Sequence, residues 1–102
     1  MDPGASDLSF LQLPLPRAFD LRLVTIPAGA ARPFVAREWE DALVVVERGA
    51  VELECVRGGR RAFATGAVMF LTGLPLRTIH NPGTEPALLA AVSRSPQKEM
   101  TT

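Results

Sequence analysis

Apolar and polar residues alternate over short stretches of this chain, and turn residues separate the stretches. From Phe19 to Ile26, the residues Phe19, Leu21 and Leu23 alternate with Asp20 and Arg22, which predicts a strand with one wet face. Pro27-Ala28-Gly29-Ala30 ends it, and residues 32–36 fit a short strand after a further bend. Residues 42–47 read ALVVVE, a β-branched, mostly apolar run of the kind found in buried strands. Arg48-Gly49 turns the chain. Residues 50–56 then alternate again, with Val51, Leu53 and Cys55 on one face and Glu52 and Glu54 on the other. Arg57-Gly58-Gly59-Arg60 is a hairpin signal. Further strands are predicted at 61–64, 67–71, 76–81 and 86–93, separated by Thr65-Gly66, Thr72-Gly73-Leu74-Pro75 and Pro82-Gly83-Thr84-Glu85.

Turn signals recurring about every ten residues mark a β-sandwich or barrel. Gly, Pro and β-branched residues are spread too evenly for any amphipathic helical stripe. The pattern predicts one all-β domain of two facing antiparallel sheets, with Val44, Val46, Val51, Leu53, Cys55 and Ile79 lining its interior. An apolar arm, residues 1–16, carries Leu8, Phe10, Leu11, Leu13 and Leu15 ahead of the domain at 17–94. Residues 95–102 are expected to be a flexible tail.

Length and charge narrow the function. The chain has 102 residues, enough for one domain whose core is thin, so pairing with a second copy as a homodimer is expected to help it. Eleven Lys plus Arg balance eleven Asp plus Glu. A neutral chain lacks the electrostatic footprint of a nucleic-acid or anionic-membrane partner, and neither is expected. A single cysteine, Cys55, cannot form an intrachain disulfide. With no basic region ahead of the first apolar stretch, this leads to the expectation of a cytoplasmic location.

The turn residues also form a frame. Gly29 is followed by Val35, Arg37, Ala42 and Gly49, and Gly66 by Thr72, Leu74, Arg77 and Asn81. This frame, with VVVERGAVELE and HNPGTEPALL around it, resembles the two motifs of the cupin superfamily, G-x5-H-x-H-x4-E-x6-G and G-x5-P-x-G-x2-H-x3-N. The resemblance runs from Gly29 to Ser93 and implies a small, single-domain, RmlC-like jelly-roll barrel. In the family, the two His and the Glu of the first motif and the His of the second bind a divalent metal. Here those positions carry Val35, Arg37, Ala42 and Arg77. A one-residue shift in the second motif would put Leu76 in the His position. Valine, alanine and leucine have no donor atoms, and arginine stays protonated. No metal and no other cofactor is therefore expected.

The resemblance implies that Arg37 and Arg77 point towards the barrel mouth, where two guanidiniums would clamp a carboxylate or phosphate. Trp39 is then expected on the rim and Glu40 beside it, tuning the charge. The competing reading pairs the two arginines with Glu38, Glu40 or Asp41, closing the barrel end. His80 is the only side chain whose ordinary pKa lies near neutrality, which makes it a candidate acid or base. It stands an odd number of residues from Arg77, so a regular strand sends the two to opposite faces. Cys55 shares a face with Val51 and Leu53 and reads as a core thiol.

Three functions remain open at this level. The first is a metal-free cupin-like protein that binds a small molecule, an anion being the favoured class. The second is a metal-independent isomerase, epimerase or cyclase with a His or carboxylate base. The third is a ligand-free structural or regulatory dimer. An acid–base pair converging in the pocket would favour the second, and an interior filled with side chains the third.

Overall fold

The computed structural model describes residues 19–94. The arm at 1–16 and the tail at 95–102 lie outside the described residues. Among the described residues, eight strands follow one another: β1 (Phe19–Ile26), β2 (Ala31–Pro33), β3 (Leu43–Arg48), β4 (Ala50–Cys55), β5 (Arg60–Ala64), β6 (Val68–Phe70), β7 (Leu76–His80) and β8 (Ala87–Arg94). A 3-10 turn, Ala36–Glu38, interrupts the series between β2 and β3.

The strands form two four-stranded antiparallel sheets. Sheet A runs β1-β8-β3-β6 and sheet B runs β2-β7-β4-β5. Successive strands repeatedly change sheet, so the chain winds around one core as a jelly roll does. The interior is where the β-branched run places it. Val44, Val46, Val51, Leu53 and Ile79 are all buried, with Val24, Ile26, Leu71 and Leu89 among them. Cys55 is only half-buried and packs against the edge of this core.

The glycine frame has a physical cause. Gly29, Gly49 and Gly66 all take positive φ. At Gly49 a Cβ would lie 2.9 Å from the Pro86 carbonyl oxygen and 3.1 Å from the Ala87 Cα, so only glycine fits between β3 and β4. Asn81, which closes the second motif, is buried. Its amide donates to the carbonyls of Ile26 (2.9 Å) and Glu85 (2.7 Å), and its oxygen accepts from the Gly83 N–H (3.0 Å). One side chain thus ties the end of sheet B to β1 of sheet A.

Two expectations are corrected by the packing. In β1 the core residues are Val24 and Ile26, and the apolar set Phe19, Leu21 and Leu23 faces outward, 38%, 39% and 49% exposed. The strand lies where the alternation predicts it, but the set of opposite parity reaches the core at its C-terminal end. In β7, Glu54 pairs with Thr78 while Cys55 pairs with Leu76, which leaves Arg77 unopposed. That bulge breaks the alternation: Leu76 and Ile79, three residues apart, are both buried, and Arg77 is ejected.

Candidate functional site

The connection from β2 to β3 crosses from sheet B to sheet A. Its path is set by local bonds: Glu38 N–H to Val35 O (2.9 Å), Trp39 N–H to Ala36 O (3.1 Å) and Ala42 N–H to Trp39 O (3.3 Å). Asp41 takes a left-handed backbone, φ 58°, which aspartate tolerates, and its N–H donates to the Thr72 hydroxyl at 2.7 Å. These turns swing Trp39 inward. It is fully buried and belongs to the same cluster as Ala42, Leu53, Met69 and Leu76. The rim position expected for Trp39 is therefore wrong. The indole closes the space between the sheets because the largest apolar side chain of the segment gains most by leaving water.

Over the indole sits Arg22, its guanidinium carbon 4.9 Å from the ring centroid. Arg22 also donates to the Glu38 carbonyl, and Arg32 pairs with the Glu38 carboxylate at 3.2 Å. The arginines that close this end are Arg22 and Arg32 and not Arg37 and Arg77. The indole N–H of Trp39 and the Nε–H of Arg32 are buried without an acceptor among the described residues. Leaving a buried donor unpaired costs about 1–3 kcal/mol each.

Arg37 and Glu40 are exposed on the outside of this connection. Arg77 stands on the outer face of sheet B, its side chain 61% exposed, 3.9 Å from the Glu54 carboxylate. The expected clamp of Arg37 and Arg77 with Trp39 and Glu40 is thus not assembled in the barrel.

His80 shares that outer face. Its Nε2 lies 2.7 Å from Glu54 Oε1, and Arg60 approaches the same carboxylate at 3.8 Å and Glu52 at 3.3 Å. Cross-strand register explains the group: Glu52 pairs with His80 and Glu54 with both Thr78 and Arg60. The His80 hydrogen bond, helped by the charges of Arg60, His80 and Arg77, holds the Glu54 carboxyl below its ordinary value against an opposing desolvation effect. An imidazole bonded to a carboxylate can shuttle a proton. This pair, however, does not converge on the barrel interior. Glu54 carried no signal in the alternation beyond a wet face. Only the bulge that brings Arg77 and His80 to one side makes it the centre of a charge group.

An open cleft of about 350 Å³ lies beside this face, lined by Val51, Glu52, Ala62, Asn81, Thr84 and Glu85 among others. Its two carboxylates suit no anion.

The motif positions offer a divalent metal no set of donor atoms. Ala42 and Leu76 are buried and donorless, Val35 is a half-exposed hydrocarbon, and Arg37 and Arg77 are exposed cations. These residues do not fit a metal. Among the described residues no three His, Cys, Asp or Glu side chains are grouped to hold one. No helix among them is long and apolar enough to cross a membrane.

No protein-family model matches the chain, and no curated protein matches it in sequence. Solved structures do. The cupin domain of Cnp3 from Schizosaccharomyces pombe is similar at 16% identity and a TM-score of 0.61, over 87% of this chain and 61% of that one. A Cupin 2 conserved barrel domain protein from Salinispora arenicola is similar at 19% identity and a TM-score of 0.61, over 87% and 76%. A sugar phosphate isomerase of the cupin superfamily from Silicibacter pomeroyi is similar at 26% identity and a TM-score of 0.55, over 78% of this chain and 52% of that one. The jelly-roll winding, the glycine frame at Gly29, Gly49 and Gly66, the buried Asn81 and these structural likenesses agree: this protein has the cupin fold.

Proposed function

We propose that this chain is a metal-free, non-catalytic cupin-fold module that acts as a rigid scaffold and presents its outer faces to partners. The observation that carries this reading is Trp39, fully buried between the sheets. A catalytic or ligand-binding barrel needs an interior open to its substrate. Here Trp39 lies in one buried hydrophobic cluster with Ala42, Leu53, Met69 and Leu76. Fold likeness alone does not decide the matter, since a sugar phosphate isomerase and a domain of an XRE-family transcriptional regulator both stand among the similar structures.

The experiment is an unbiased mass-spectrometric search for small molecules that co-purify with the full chain, joined to thermal-shift measurements with sugar phosphates and dicarboxylates. The expected outcome is no stoichiometric metabolite and no shift. A bound metabolite lost on Trp39→Phe would overturn the reading.

A second reading has its own observation. The unpaired N–H groups of Trp39 and Arg32, with Arg22 above the indole, form a set of donors that would suit a small anion. It needs the 35–42 connection to swing away. Phosphate protection of Arg22 and Arg32 from a guanidine-modifying reagent tests it; equal modification with and without phosphate counts against it.

A further inference from the structure

Two residues of sheet A are buried although they point away from the core. In β3, Val44 and Val46 belong to the cluster between the sheets, so Val45 points outward. In β8, Leu89 and Ala91 belong to it, so Ala90 points outward. The register sets Val45 beside Ala90 in the middle of the sheet. Both are nonetheless fully buried, and neither is part of the interior cluster. The contacts of β3 and β8 with other strands run sideways to β1 and β6 and inward towards sheet B, so none of the described strands lies over this pair.

What covers the pair is narrow. Leu23 lies beside Ala90 and Val68 beside Val45 in the same row, and they stay 49% and 45% exposed. A second sheet or a whole domain laid on this face would close these positions as well. Strands in a sheet are spaced about 4.8 Å apart. A cover that closes two of them and leaves their neighbours wet is about 10 Å across, the width of one extended chain with its side chains.

The sequence holds a segment of that form. Ahead of Phe19 stands Leu11-Gln12-Leu13-Pro14-Leu15-Pro16. Pro14 and Pro16 exclude a regular helix and hold Leu13 and Leu15 extended. The three leucines then share one side, and Gln12 and the prolines take the other. The reach also fits. Leu23, four residues on from Phe19 in β1, stands beside Ala90, and Val45 is one strand further across. The diagonal from Phe19 to Val45 is about 17 Å, which five or six extended residues span at about 3.3 Å each. Counting back that far from Phe19 arrives at Leu13. The segment after Arg94 offers only Met100 as a large apolar side chain.

We infer that residues 11–16 cross the outer face of the chain's own sheet A as an extended strap, with Leu13 seated over Val45 and Ala90. Ala90 has the smallest side chain of its row and leaves the dent that a leucine fills. The strap runs from β1 over β8 to β3 and ties together strands that the ladder joins only edge to edge. It deepens the scaffold reading in one respect: with sheet A strapped, the face left open to a partner is that of sheet B. The two fail separately, since a metabolite found in the barrel would end the scaffold reading and leave the strap in place.

The test is methyl NOE spectroscopy on the full isotope-labelled chain, joined to thermal unfolding of point variants. Wild type is expected to show NOEs from the Leu13 methyls to those of Val45 and Ala90. They should be absent from isotope-filtered spectra of mixed labelled and unlabelled chains, which report only contacts between copies. Leu13→Asp should lower the melting temperature by about 5 °C or more and raise the fluorescence of an apolar dye, with the strand signal in circular dichroism kept. Gln12→Asp, on the other side of the same segment, should change neither. Should Leu13→Asp fail to fold, the wild-type NOEs alone decide. The proposal is overturned by missing NOEs, by NOEs that pass between copies, by NOEs to Met100 in place of Leu13, or by equal melting of the Gln12→Asp and Leu13→Asp variants.

Discussion

The two outer faces of this barrel are built by the same ladder geometry and differ completely in chemistry. On sheet A the rows read Leu23-Ala90-Val45-Val68 and Leu21-Val92-Leu43-Phe70. On sheet B they read Ala31-His80-Glu52-Ala62 and Pro33-Thr78-Glu54-Arg60. An antiparallel sheet covered on one side normally shows water a polar face, and sheet B conforms. Its carboxylates are paired: Glu52 with Arg60, Glu54 with His80, Arg60 and Arg77. Sheet A does not conform. At the centre of that face Val45 and Ala90 are fully buried, and the exposed hydrocarbon lies at Leu21, Leu23, Leu43, Val68 and Phe70 around them.

Substitutions that strike the shared core, the joint between the sheets, and then one face at a time would break or sharpen this contrast. Trp39→Ala removes the filler on which both sheets close. It should cost about 3–5 kcal/mol, seen as a fall in the denaturation midpoint, with strand content kept. Added indole should restore part of the loss by entering the hole, as apolar ligands enter engineered cavities. A loss below about 1 kcal/mol would show that the indole is not a core element, and the solvent-facing assignment would return.

Asn81→Ala breaks the joint. It strips the Ile26 and Glu85 carbonyls of their donor and leaves the Gly83 N–H without its acceptor. A loss of about 2–3 kcal/mol is expected in urea unfolding, smaller than at Trp39 and felt by both sheets. Amide exchange that quickens in β7 alone would contradict the joint.

On sheet B, Glu54→Gln should act through pH. The Glu54 carboxyl titrates lower in the folded chain than its ordinary value because the charged form is hydrogen-bonded by His80. A lowered folded value means the carboxylate's contribution is fully present above the ordinary pKa and is lost as pH falls through the lower one. Wild type should therefore lose more melting temperature between about pH 5 and pH 3 than Glu54→Gln does. Parallel pH profiles would show that the pair does not stabilise the face.

The smallest effect belongs to Arg77→Leu. The guanidinium is mostly exposed and 3.9 Å from its partner, a geometry that water and salt screen almost completely. The melting temperature should move by less than about 1 °C. A drop of several degrees would mean that the bulge depends on this ion pair.

Much of the fold is legible in the residues. The β-branched run at 42–47 and the alternation at 50–56 predict β3 and β4 within a residue or two, and Gly58-Gly59 places the hairpin that follows them. That Val35, Arg37 and Ala42 supply no metal ligand is a property of the residues themselves, independent of where they point. The site is less legible. Motif spacing groups Arg37, Arg77, Trp39 and Glu40, and spacing assumes an uninterrupted strand and a connection that stays outside. The bulge at Arg77 and the inward turn at Trp39 violate both assumptions.

What the chain by itself determines is where its strands begin and end, which residues share a face, and where only glycine fits. These are local properties, governed by side-chain alternation and by backbone sterics over a few residues. Which face turns inward was decided by the tertiary structure. In β1, alternation defines two sets, and Val24 and Ile26 reach the core only because β1 pairs with β8 so that Ile26 opposes Ala87. The same holds for Arg77, expelled because β4 pairs Cys55 with Leu76. Trp39 is inside because the space between two sheets, made by residues far apart in sequence, is filled best by an indole. Such choices depend on partners that no local window contains.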